Sequence, residues 1–225
     1  MYMPLRCKTT TFAAIGGSRS LGMETVRSDT DLIIVASTPD YSLRMKGCYN
    51  TLYKSPNDFY EMLTLPARNY IHIFQFLYPE NFVTDNAFTD WIVSNRDALM
   101  DENKVVFYSD ALHFLEDAQQ HLTGYFKVAG KRVSHAIAYG KIAEAYSSGR
   151  SMSDCFKATG AWRETLLKIR MKELPYEVVQ GLVAQALSTV TQLCERTVEP
   201  TQKPNTTQLK EMLDTTYFED YANCL

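Results

Sequence analysis

Asp29 and Asp31 stand two residues apart at the head of an apolar run, Leu32-Ile33-Ile34-Val35. Residues two apart in a strand face the same side, so both carboxylates point one way. Like charges that close raise each other's pKa unless a cation lies between them. Mg²⁺ meets that need, because it takes one or two carboxylates together with substrate phosphates. Upstream, Gly16, Gly17 and Ser18 can turn sharply and bring backbone N–H groups close to a ligand, with the Ser18 hydroxyl beside them. A helix starting near Ser18 would favour an anion there, and Arg19 and Arg27 add positive charge. A triphosphate between turn and metal satisfies all of these features. Two commoner phosphate motifs are excluded: no Gly-Lys-Ser/Thr follows the glycines, and Gly16, Gly17 and Gly22 do not fall on the G-x-G-x-x-G offsets. A Gly-Gly-Ser turn alone is more often structural, and a lone Asp-x-Asp is mostly a solvated strand start. Their order between two strands is what makes them specific.

The elements that must position these residues read as α/β in the first third. "TTTFAAIGG" (9–17) is β-branched and apolar and ends in two glycines, as a strand entering a tight turn does. "DLIIVAS" (31–37) is a continuous apolar run suited to a strand buried on both faces, which "STPDY" then breaks. "GCYNTLYK" (47–54) alternates as a third strand, and a helix over 57–70 must break or restart at Pro66. Helical spacing follows over 88–100, with Thr89 or Asp90 as cap, and over 104–127, 130–150, 160–174 and from Pro175 onward. A polar linker with two prolines (198–208) and a short amphipathic tail close the chain. Strands followed by helices predict an α+β fold. The expected division is an α/β domain over 1–86 with a small mixed β-sheet, an α-helical domain over 87–197, and a linker and tail over 198–225.

Composition narrows the class without fixing it. The 225 residues suffice for a proper core, and 45% hydrophobic with 22% charged residues is ordinary for a globular protein. A net charge of -3 argues against a generic polyanion binder, although a local basic groove is compatible with it. No apolar run approaches membrane length, and the N-terminus lacks signal-peptide character. The expectation is a cytoplasmic protein, in the host cytoplasm if phage-encoded. Five scattered cysteines without a C-x-x-C pair read as reduced thiols, and the four histidines do not share zinc-ligand spacing with them.

A Gly-Ser turn, then residues 19–28, then Asp-x-Asp before apolar residues resembles the signature of the polymerase-β-like nucleotidyltransferase superfamily. "GSRSLGMETVRSDTDL" is similar to the version in a nucleotidyltransferase family predicted in bacteria and large phages. "GKRVSHAIAYGKIAEAYSSGR" and "LLKIRMKELPYEVV" resemble that family's later segments, so the likeness runs from about 14 to about 180. The resemblance implies that Gly17, Ser18 and Arg19 hold NTP phosphates. It implies that Asp29 and Asp31 bind two Mg²⁺ ions, and that a third acid on a later strand activates the acceptor hydroxyl. Some relatives accompany RNA-repair genes, which points to an RNA or DNA 3′ end as acceptor. The alternatives are a protein or small-molecule acceptor, or a non-catalytic nucleotide- or nucleic-acid-binding phage accessory protein. Neither the NTP chosen nor the oligomeric state is legible.

For the third acid, Asp58 is the choice and Glu61 the reserve, while Asp40 reads as structural. Asp58 equally suits a helix cap, with Glu61 placed as in a capping box. Lys131, His135 and Tyr139, four apart, share one helix face. The functional reading puts Lys131 on a phosphate and His135 near base or ribose; the plain one is a solvated face. Arg163 and Arg170, with Lys168 and Lys172, form either a basic flank for nucleic acid or, with Glu164 and Glu173 diluting it, an ordinary surface. The aromatics, with His72 and Gln75 among them, are expected inside.

Overall fold

Strand β1 (Thr10–Gly16) runs into the one-turn helix α1 (Gly17–Ser20), and β2 (Thr30–Ala36) returns antiparallel beside it. Strands β3 (Tyr41–Met45) and β4 (Tyr49–Lys54) complete a mixed sheet of order β1-β2-β4-β3, in which β2 and β4 are parallel. This computed structural model describes residues 10–26, 28–36, 41–45, 49–65, 70–122, 130–196 and 200–213. Strand β3 had no counterpart in the sequence reading, because five residues after a turn give too short a pattern to register. Asp40 and Arg27 lie outside the described residues.

The apolar run of β2 is covered on both faces, as its composition required. Phe12, Ile33 and Val35 face the main core, while Ala13, Ile34, Ala36 and Tyr53 form a smaller cluster on the other side. Only the head of β2, Thr30 to Leu32, is half-buried. The two aspartates therefore sit at the rim of a strand whose remainder is locked in place.

Helices α2 (Pro56–Thr64) and α3 (Tyr70–Phe74) follow, and then α4 (Ala87–His121), a helix of 35 residues. The sequence predicted two helices here, over 88–100 and 104–127. They are one helix up to His121, because Asp101 to Lys104 contain no breaker and their polar groups are satisfied in place. Lys104 Nζ donates to Asp101 Oδ1 at 2.8 Å and Asn103 Nδ2 to the Leu99 carbonyl at 2.8 Å. The cap is Asn86, whose side chain accepts from the Phe88 and Thr89 amides, and not Thr89 or Asp90.

Helix α5 (Gly130–Ser147) packs against α4, α7 (Gly160–Met171) and α8 (Tyr176–Glu195), with the single turn α6 (Met152–Cys155) between. One buried cluster runs from Phe12 and Ile33 through Phe107 and Ile137 to Val190, joining sheet and helices. Among the described residues no helix is long and apolar enough to cross a membrane. Cys155 and Cys194 are free thiols.

Candidate functional site

The end of β1 and the head of β2 meet at one point, where Gly16 pairs with Asp31. Gly17 then turns the chain with φ of 66°, a conformation that costs side-chain-bearing residues roughly 1–2 kcal/mol. Space demands glycine there as well, since a Cβ on Gly17 would lie 1.8 Å from Asp31 Oδ2. Turn and carboxylate are thus in contact. Buried Gln75 fixes the turn: its Oε1 accepts from the Gly17 amide at 2.9 Å, and its Nε2 donates to the His72 carbonyl at 2.7 Å. Gln75 is satisfied internally, as the sequence suggested.

Ser18 is buried, and its hydroxyl is already engaged. Arg170 Nη1 donates to Ser18 Oγ at 2.6 Å, and Ser18 Oγ lies 3.2 Å from His135 Nε2. Burial, then the nearby positive charges of Lys131 and Arg170, with His72 beyond them, push the His135 pKa down to about 3. A neutral imidazole has one donor and one acceptor nitrogen, so the tautomer sets whether Ser18 Oγ donates to His135 Nε2 or accepts from it. Arg170 also reaches the Met23 carbonyl and Ser28 Oγ, both at 3.0 Å, and Arg163 Nε donates to the Gly22 carbonyl at 2.7 Å. The two arginines read from sequence as a basic flank or an ordinary surface are instead turned onto the segment between turn and aspartates. Both are partly buried, and they tie α7 to the segment that joins β1 to β2.

Asn50 on β4 was not singled out from sequence, and it sits at the centre of the site. It pairs in register with Asp31, and its Nδ2 donates to Asp29 Oδ2 at 2.8 Å and to Asp31 Oδ1 at 2.9 Å. The signal was present in the strand alternation, which sets Asn50 on one face with Leu52. It needed the β2–β4 register to mean anything.

Asp58 is placed elsewhere. It lies in the first turn of α2, where its amide donates to Ser55 Oγ at 3.1 Å and its carboxylate accepts from the Ser55 hydroxyl. Asn50 to Lys54 spans about 13 Å of strand at about 3.3 Å per residue, so α2 begins at the far end of β4 from the aspartate pair. The N-cap of α2 is Ser55 and not Asp58, which stands three residues further on as its capping partner, and Glu61 takes no part in that cap. Glu61 is exposed further along α2, and Arg19 is exposed on α1. Among the described residues no cluster of three or more His, Cys, Asp or Glu is arranged to hold a metal ion.

A cleft of about 590 Å³ opens over these groups. Gly17, Asp31, Asn50 and Gln75 line one side, and Lys131, His135 and Tyr139 of α5 line it together with His72. The α5 face is graded: Lys131 is exposed, His135 half-buried and Tyr139 buried. Burial, reinforced by the Asp31 charge, holds the Tyr139 phenol far above its ordinary pKa. Its hydroxyl lies 3.4 Å from His72 Nδ1. Burial likewise lowers the His72 pKa, against the opposing charges of Asp110 and Asp31. His72, expected to be internal, lines the cleft.

The donor set offers Mg²⁺ two carboxylates, from Asp29 and Asp31, with the remaining positions left to phosphate and water, a set this ion accepts. No family model matches the chain, and no curated protein matches it in sequence. Among solved structures it is similar to a nucleotidyltransferase-like protein from Exiguobacterium sibiricum 255-15, at 13% identity and a TM-score of 0.30. That match covers 83% of this chain and 68% of the other.

Proposed function

We propose that the cleft binds an NTP with Mg²⁺ and that the protein transfers the NMP to a hydroxyl acceptor, with an RNA or DNA 3′ end as the favoured acceptor. The observation that carries this reading is the contact of Gly17 with Asp31, across one cleft from Lys131 and His135. It joins a glycine turn to a carboxylate pair and a facing cation. The segment resembling the nucleotidyltransferase signature supplies that turn and that pair.

In this reading Asp29 and Asp31 hold Mg²⁺, which supplies charge neutralisation at the phosphates. Gly17 lets the turn backbone approach the triphosphate without a side chain intervening. Lys131, exposed at the mouth, pairs with phosphate oxygen. Ser18, engaged by Arg170 and His135, shapes the turn more than it grips the ligand. The acceptor oxygen forms a bond to the α-phosphorus while the bond from that phosphorus to the bridging oxygen of the leaving pyrophosphate breaks. The acceptor proton passes to a carboxylate of the pair.

The test is incubation with Mg²⁺ and labelled NTPs, alone and with RNA or DNA, beside an Asp29→Ala/Asp31→Ala double variant. Transfer of label that is lost in the double variant is the expected result. The Asn50 bridge favours a second reading, in which nucleotide is bound and not transferred; binding without label transfer is its outcome. Absence of NTP binding overturns both.

A further inference from the structure

Asn50 lies opposite Asp31 on the neighbouring strand, between the two carboxylates of the site. Its amide bridges Asp29 and Asp31 from the neighbouring parallel strand. Charge fixes its orientation: reversing the amide would set its oxygen against two anions. Two carboxylates that converge normally need a cation between them. Here a neutral NH₂ group gives one hydrogen to each carboxylate and so offsets their repulsion, and the Arg170 charge acts on Asp29 as well.

We infer that Asn50 is a neutral stand-in for charge, which lets the site assemble without metal and limits it to one divalent ion per bound nucleotide. The inference rests on the reading of the cleft as an NTP–Mg²⁺ site. Asparagine and aspartate have the same shape, so the difference lies in charge and in the two N–H donors. Aspartate at this position would bring a third carboxylate to the pair and remove both hydrogen bonds. A site of that kind demands more cation than the present one. Among the described residues no other acid joins the pair to restore that demand.

The experiment compares the wild type with Asn50→Asp and Asn50→Ser. Mn²⁺ bound per chain is counted by electron paramagnetic resonance in the presence of a non-hydrolysable NTP analogue. Melting temperature is measured without nucleotide, in EDTA and in Mn²⁺. The wild type should bind one Mn²⁺ and melt at nearly the same temperature in both buffers. Asn50→Asp should bind a second Mn²⁺ and melt several degrees lower in EDTA, with recovery in Mn²⁺. Asn50→Ser, which removes the bridge without adding charge, should lose stability in EDTA and bind no second ion. Two Mn²⁺ on the wild type would overturn the inference, as would an Asn50→Asp protein that gains neither the second ion nor EDTA sensitivity. Should Asn50→Asp not fold even in Mn²⁺, equal melting of Asn50→Ser in the two buffers overturns it instead. Failure of the wild type to bind the analogue at all sinks the NTP reading, while the nucleotide-free melting series still judges the Asn50 bridge.

Discussion

Removing the Arg170 guanidinium should loosen the turn and change His135 at the same time. Arg170 joins α7 to Ser18 Oγ at 2.6 Å, and to the Met23 carbonyl and Ser28 Oγ at 3.0 Å each. A net value of ~1 kcal/mol per intramolecular hydrogen bond gives about 3 kcal/mol for the three. The guanidinium is half-buried, so water replaces part of this and about 2–3 kcal/mol is expected for Arg170→Ala. At roughly 2–4 °C per kcal/mol for a chain of this size, the melting temperature should fall by roughly 4–12 °C. The charge has a separate effect. Burial and Lys131 hold the His135 pKa down together with Arg170, so the Arg170→Ala imidazole should titrate at higher pH in NMR spectra. Arg170→Lys retains the charge without the planar fork, so it should keep the low His135 pKa while losing part of the stability. An Arg170→Ala protein with unchanged melting temperature and unchanged His135 titration would refute this account of the turn.

Gly17→Ala should cost at least the roughly 1–2 kcal/mol of a left-handed backbone and displace Asp31, so Mg²⁺-dependent NTP binding measured by calorimetry should be lost. Asp31→Asn should lower NMP transfer ~100-fold or more, the scale of several kcal/mol of metal-derived stabilisation, while circular dichroism stays unchanged. His135 stays neutral in the folded protein down to about pH 3, while the unfolded chain takes its proton near the ordinary 6.5. Stability should therefore fall as pH drops from 6.5 towards 3, at up to about 1.4 kcal/mol per pH unit from this group, and His135→Gln should flatten the slope in urea titrations. Burial works to raise the Asp101 pKa, but hydrogen bonds from Lys104, Gln202 and Thr201 prevail and hold it at about 2. Asp101→Ala breaks the buried ion pair with Lys104 and frees residues 201 and 202, so a loss of about 3 kcal/mol and earlier proteolysis of the C-terminal segment are expected.

What the chain revealed in advance depended on how far apart in sequence the cooperating residues lie. The bend at Gly17 and the shared facing of Asp29 and Asp31 depend on a few adjacent residues, through backbone freedom and strand periodicity, so both were legible. The α+β order and the two-sided burial of β2 were legible for the same reason. Asn50 was not, because its role exists only once β4 lies parallel to β2 with Asn50 opposite Asp31. Arg170 touches Ser18 across 152 residues, and no local pattern separates an inward arginine from a solvated one. Asp58 shows the converse: a cap at the start of α2 was legible, but it is built by Ser55 with Asp58, three residues before the Asp58–Glu61 box the sequence suggested. The join of two predicted helices into α4 follows from side chains that are polar yet satisfied, which hydropathy spacing does not distinguish from a loop.

The central claim is that Asp29, Asp31 and the Gly17 turn form one Mg²⁺–triphosphate site. Calorimetric titration of a non-hydrolysable NTP analogue into the wild type and the Asp29→Ala/Asp31→Ala variant, each with Mg²⁺ and with EDTA, tests it most directly. The account predicts binding to the wild type that requires Mg²⁺ and vanishes in the variant. Equal binding by both proteins, or binding indifferent to Mg²⁺, would contradict it.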